Sequence, residues 1–289
     1  MGNICPCCKK KEPQRRSRTV GRPPGSALTE QLTDGANAET NINAVPLAPP
    51  VDQISLDLIN SLNLEPQLDQ VRARIENYDK SSLKKISDDK DPFELYFDVL
   101  TDDNKDKIHT TFMRANSSMT PLAFKLANSL IPESEELKIS TNYERFMTIF
   151  RGKIGNVFYI INYALYKQIM LFSKKDLFFV KAFKQLDNGD VVEITVSADH
   201  PDYLESKGID RMKIVENVCL YKKTPEGCQV TSLNTLYPRV GASLTILKPL
   251  FSKGFRTYNK AQTEYLNTIT KGETDLEADF LNFTRADDV

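Results

Sequence analysis

The sequence predicts an α+β fold in which helices come first, an antiparallel sheet follows and one long amphipathic helix closes the domain. Three observations carry this. Apolar residues recur at helical spacing early in the chain, at Ile54, Leu58, Ile59 and Leu62, then at Leu68, Val71 and Ile75 after Pro66. Between residues 136 and 238, β-branched and aromatic runs alternate with turn residues. After Gly241 a helical stripe returns, with Phe255, Tyr258 and Ala261 beside Gln262, Tyr265 and Ile269.

The first fifty residues belong to none of these elements. The 289-residue chain has a formal net charge of -1, and that sum conceals charged ends. Residues 1–29 hold seven cations and one acid, a net of +6; residues 272–289 hold six acids and one cation, a net of -5. The remainder, at -2, is an ordinary folded stretch with no bias toward nucleic acid. Residues 12–50 contain six prolines and no apolar period, so they are expected to be a flexible, disordered tether.

The chain opens Met1-Gly2-Asn3-Ile4-Cys5-Pro6-Cys7-Cys8-Lys9-Lys10-Lys11. It lacks the apolar centre of a secretory signal. Once Met1 is removed, Gly2 presents the amine that accepts myristate, although Pro6 stands where Ser or Thr is usual. Cys5, Cys7 and Cys8 are placed to take palmitate. One myristoyl chain holds a protein only marginally, so stable attachment needs a second chain or a basic patch; this segment offers both. Each cation near an anionic leaflet adds about 1 kcal/mol. The expectation is a protein at a cytoplasmic membrane face, held through its N-terminus to an anionic membrane surface. Ser17, after Arg15-Arg16, is a position where a phosphate would weaken that hold. The competing reading of Cys5-Pro6-Cys7-Cys8 as a metal site lacks a second cysteine pair.

Other totals exclude classes. No stretch approaches the roughly 18 apolar residues of a spanning helix. Five cysteines, three of them in the first eight residues, make no disulfide framework. His109 and His200 are the only histidines and neither lies near a cysteine in the sequence. No metal and no cofactor is therefore expected.

Taken in order, residues 51–79 are an N-terminal helical segment. Residues 93–114 also read as helical, through Phe93, Leu95, Tyr96, Val99, Leu100, Ile108, Phe112 and Met113, with a break at Asp102-Asp103-Asn104. Residues 121–131 form a short helix. Strands are expected at 157–166, 177–185, 191–198, 212–221 and 229–237. Asn188-Gly189 predicts a two-residue turn, and that turn pairs Phe183 with Ile194, Lys181 with Val196, Phe179 with Ala198 and Lys184 with Glu193. One face is then apolar except for Lys181, whose buried cation needs a partner: either a protein carboxylate or rim, or a polar ligand group in a cavity. A second turn at Thr224-Pro225-Glu226-Gly227 sets Val218 against Leu233 and Cys219 against Ser232, leaving Cys219 and Cys228 as thiols.

Three stretches resemble a known family. Lys174-Lys175-Asp176-Leu177-Phe178-Phe179-Val180-Lys181 resembles the Arg-Asp-Phe-Val strand of START domains, the StAR-related lipid-transfer modules, with Lys175 in place of the usual Arg. Ser197-Ala198-Asp199-His200-Pro201 and Lys207-Gly208-Ile209-Asp210-Arg211 resemble two further motifs of that family. The family's Trp-Asp has no counterpart. The likeness spans about residues 80–271 and implies a START-like helix-grip fold: a curved antiparallel sheet and a long C-terminal helix enclosing an apolar tunnel for one lipid, phospholipid or sterol-like. It implies a lipid site at Phe179, Lys181, Phe183, Ile194, Val196 and Arg211, with Lys181 and Arg211 at its polar end, Arg211 serving either a ligand or a structural ion pair. It places His200 away from the tunnel and implies no catalytic residue. The expected activity is lipid binding, transfer or sensing without catalysis; the alternatives are a membrane-tethered scaffold without ligand and a helix-grip enzyme. Residues 272–289 are expected to be an acidic disordered tail.

Overall fold

The structure, a computed structural model, describes residues 53–101, 106–168, 173–203, 207–239 and 244–283. Gly2, Cys5, Cys7, Cys8 and Ser17 lie outside the described residues. Helices α1 (Gln53–Leu62), α2 (Glu65–Leu68) and α3 (Val71–Glu76) come first. Strands β1 (Lys84–Lys85), β2 (Phe93–Thr101) and β3 (Lys107–Ser117) follow, then helices α4 (Pro121–Ser129) and α5 (Glu133–Ile139). A run of strands comes next: β4 (Tyr143–Ile154), β5 (Val157–Tyr166), β6 (Lys174–Gln185), β7 (Val191–Ser197), β8 (Ile209–Arg211), β9 (Lys213–Thr224) and β10 (Gly227–Tyr237). Helices α6 (Leu244–Leu266) and α7 (Glu273–Leu281) complete the described chain.

Among the described residues the strands form one curved sheet in the order β1-β2-β3-β10-β9-β7-β6-β5-β4, antiparallel throughout, with the short β8 running parallel beside β6. One face is covered by α1, α2 and α3. They set Ile59, Leu64, Leu68, Val71 and Ile75 against Val180, Ala182, Val192, Ile194 and Val218. The other face meets α4, α7 and the end of α6, where Leu126, Leu266, Leu276 and Phe280 pack on Phe158, Ile160 and Phe183. The first half of α6 closes over β2: Phe251 stacks on Phe97 at 4.4 Å and Phe255 meets Phe93 edge-on at 4.8 Å. Each such side chain removed from water contributes about 1.5–3 kcal/mol.

Two expectations are corrected here. Residues 93–114 form the β2–β3 hairpin, not helix. Phe93, Leu95 and Phe97 alternate into the core, while Tyr96 and Phe112 meet on the other face at 6.2 Å. Apolar residues on both faces of a strand imitate a helical period.

The second correction is a register. The loop after β6 has three residues, Asp187, Asn188 and Gly189: the Gly189 amide donates to the Leu186 carbonyl, the Leu186 amide donates to the Asp190 carbonyl, and only Gly189 takes a positive φ, +81°. This is a three-residue loop closed by a glycine in the left-handed region. Phe179 therefore faces Ser197, Lys181 faces Thr195, Ala182 faces Ile194 and Phe183 faces Glu193. A slip of one residue moves every side chain of one strand to the opposite face. The second turn agrees with its expected register: Val218 faces Leu233, Cys219 faces Ser232, and both Cys219 and Cys228 are thiols.

Candidate functional site

A cavity of about 280 Å³ lies between the sheet and helices α4, α5 and α6. Phe179 and Lys181 of β6 line it. Phe183 is on the same side of the sheet but fully buried under α4 and α7, stacked on Phe158 at 4.8 Å, and does not line the cavity. Ile194 and Val196 lie on the opposite face, against α1–α3, because of the one-residue register. Arg211 is also elsewhere. Its Nε and Nη2 donate to the two carboxylate oxygens of Asp176 at 2.8 and 2.9 Å, and Nη2 donates to the Tyr203 carbonyl. That bidentate pair ties β8 to β6; of the two readings left open for Arg211, the structural ion pair holds.

With Ile194 and Val196 removed, the cavity is more polar than an apolar tunnel. Glu193 of β7, 4% exposed, was expected to meet Lys184 in solvent. Lys184 instead reaches Asp69 at 2.7 Å on the other face. The Glu193 carboxylate receives Lys125 Nζ at 2.9 Å, the Tyr221 hydroxyl at 2.6 Å and Thr195 Oγ1 at 3.3 Å. Lys125 projects from α4 and is only 3% exposed. Burial pushes the Glu193 carboxyl up, but Lys125, Lys181 and the Tyr221 hydroxyl outweigh it and hold it at about 2. Sequence reasoning missed this network because Lys125 and Glu193 are brought together only by α4 crossing the sheet.

Around it, Cys219 lines the cavity with its thiol pushed up, first by burial and then by Glu193. Burial raises the Glu136 carboxyl on α5, against the pull of Lys181. Tyr143, Tyr166 and Tyr258 are raised mainly by burial. Neither histidine lines the cavity. His200 packs on Phe178 and Tyr203 at 5.3 and 5.4 Å, its Nδ1 accepting the Asp202 amide. His109 sits between Phe97 and Phe251, each 5.5 Å away, and burial pulls it down to about 4. Among the described residues no group of His, Cys, Asp and Glu could hold a metal ion, and no helix is long and apolar enough to cross a membrane.

A curved antiparallel sheet, gripped by a long C-terminal helix over a cavity, defines a helix-grip domain. Its fold is that of the StAR-related lipid-transfer (START) domains. The structure of human STARD10 is similar with a TM-score of 0.54 and 15% identity, over 70% of this chain and 81% of that one. That of human StAR-related lipid transfer protein 5 is similar with a TM-score of 0.54 and 11% identity, over 71% of this chain and 97% of that one. No family model and no curated protein matches the chain in sequence.

Proposed function

We propose that this protein binds one lipid without catalysis, in the cavity between the sheet and α6, and does so at a cytoplasmic membrane face for transfer or sensing. The observation that carries the reading is the cavity beneath α6 in a START-like fold. One of the similar structures, human StAR-related lipid transfer protein 5, is named for lipid transfer. The lining supports binding over chemistry: it has no histidine, and its cysteine is held as the thiol, a poor nucleophile.

The membrane partner rests on two features. One is the basic N-terminus with Gly2, Cys5, Cys7 and Cys8 as acyl acceptors. The other is on α6, where Ile246 and Leu250, one turn apart, are 51% and 43% exposed beside exposed Lys248 and Lys253. An apolar pair flanked by cations suits an anionic bilayer surface. Gly2→Ala, or Cys5, Cys7 and Cys8 together changed to Ser, is expected to move the protein from the membrane pellet to the supernatant in cell fractionation; unchanged pelleting of both would refute the anchor.

The cavity volume favours a second reading. At about 280 Å³ it sits at the lower edge of the roughly 300–1,000 Å³ common for ligand sites. A two-chain lipid therefore needs α6 to move outward, and a protein that never opens would be a tethered scaffold. Native mass spectrometry of the full chain after incubation with a mixed lipid extract separates the two. The expected result is a mass increment of one lipid per chain; an unliganded chain throughout would support the scaffold.

A further inference from the structure

Among the described residues the cavity lining carries an excess of positive charge. Its charged lining residues are Lys125, Arg151, Lys181, Glu136 and Glu193. Lys125 and Glu193 neutralise each other at 2.9 Å. That leaves two cations against Glu136. Among the described residues neither Arg151 nor Lys181 has a carboxylate within 4.0 Å. Arg151 Nε is buried without a hydrogen-bond partner, and its guanidinium lies 4.7 Å from the Phe283 ring centroid. Glu133 acts on Arg151 from a distance, its Oε1 already accepting the Thr148 amide at 2.8 Å. Lys181 Nζ lies over the face of Phe179, 5.4 Å from the centroid, and acts on Glu136 and Glu193 from a distance.

The two cations are also aligned. Arg151 of β4 is opposite Ile160 of β5, and Ile160 is opposite Lys181 of β6. Residues opposite each other share a face, so Arg151 and Lys181 flank buried Ile160 at about 10 Å between Cα atoms, twice the spacing of neighbouring strands. Two positions along β5, on the same face, Asn162 is 3% exposed and its Oδ1 has no hydrogen-bond partner. Buried polar atoms are rarely left this way. Two cations and one acceptor, all lining one small cavity, are complementary to an anion with a neighbouring hydroxyl.

Resting on the lipid-binding reading, we propose that Arg151 and Lys181 together seat the single anionic group, phosphate or carboxylate, of a one-chain lipid, while Asn162 accepts a hydrogen bond from a hydroxyl beside it. A monoacyl glycerol phosphate has this chemistry. A headgroup of that size fits the volume, and charge-assisted contacts supply the selectivity.

The test uses the full chain and three probes below their aggregation concentrations: a lysophosphatidic acid, the monoacylglycerol with the same acyl chain, and inorganic phosphate as competitor. The lysophosphatidic acid is expected to bind at least tenfold more tightly than the monoacylglycerol. Lys181→Met and Arg151→Met are each expected to lower its affinity tenfold or more, the worth of one charge-assisted contact, and exposed Lys222→Met is expected to leave the ratio unchanged. Equal binding of the two lipids to the wild-type protein overturns the anion seat yet leaves lipid binding standing, whether or not the variants fold. A preference that survives in the Arg151→Met/Lys181→Met double variant also overturns it, assigning the selectivity to the basic N-terminus. Phosphate competing as tightly as the lipid would uphold the anion seat and overturn the lipid as its source. Failure of both lipids to bind overturns the one-chain lipid as the ligand, and an unliganded chain in the mixed-extract mass spectrum as well overturns the reading on which the inference rests.

Discussion

Glu193→Ala is expected to destabilise the protein by about 3–5 kcal/mol, the cost of removing one partner from a buried ion pair. The reason is what it leaves behind. Lys125 has essentially no access to water, and in the variant its ammonium would face the Phe183 ring at 4.9 Å with no carboxylate. For a domain of this size the loss corresponds to roughly 6–20 °C in Tm. Replacing both partners, Lys125→Met with Glu193→Met, should recover much of it, because a paired buried charge is worth little more than a well-packed apolar pair. The same site carries a pH signature. The folded Glu193 carboxyl, at about 2, lies below its ordinary value of 4.5, so the ionised form contributes stability that is complete above about 4.5 and is lost as pH falls toward 2. That gap is worth roughly 3 kcal/mol. Urea melts at pH 7 and pH 3 should show the acid loss in the wild-type protein and a flatter profile in the double variant. A cost below 1 kcal/mol for Glu193→Ala would mean that Lys125 finds another partner.

Elements that follow one physical signal were legible in the sequence. The strands from Val157 onward are runs of β-branched and aromatic residues between turn residues, and the Pro225-Glu226-Gly227 turn set its register to the residue. The Asn188-Gly189 hairpin did not, because the same dipeptide serves a two-residue loop and the end of a three-residue one; the choice depends on whether Asn188 takes a positive φ, and it does not. The cost of that ambiguity falls on the site. Phe179 and Lys181 share a face by the alternation of β6 whatever the register, and both line the cavity, while Ile194 and Val196 depended on the register and went to the wrong face. Arg151, Asn162 and Glu193 were invisible for a different reason. Asn162 and Glu193 each follow two apolar residues on their strands, Arg151 is one of several polar residues on β4, and only the packing of α4, α5 and α6 turns that face into a cavity.

The acidic C-terminal segment holds the other large effect. Residues 272–289 were expected to lack structure on their charge, yet Glu273–Leu281 is helix α7. Its composition hides a two-residue stripe: Leu276 and Phe280, one turn apart, are both buried. Phe280 is fully buried, with its ring edge-on to Phe158 at 5.4 Å and to Phe183 at 5.8 Å. The acids take the outer side and find partners, Glu277 with Lys153 at 2.6 Å and Glu273 with the Thr120 hydroxyl at 2.6 Å. Thr120 caps α4, so α7 braces the helix that carries Lys125 to Glu193. Phe280→Ala is expected to cost about 3–5 kcal/mol through the cavity it leaves, whereas Asp279→Ala, which removes only a solvent-accessible ion pair with Lys271, should cost less than about 1 kcal/mol. If truncation after residue 271 left the urea midpoint unchanged, α7 would be a passive appendage. Because Phe183 is packed between α7 and Lys125, loss of α7 should also weaken the Lys125–Glu193 pair, so Phe280→Ala combined with Glu193→Ala should cost less than the sum of the two.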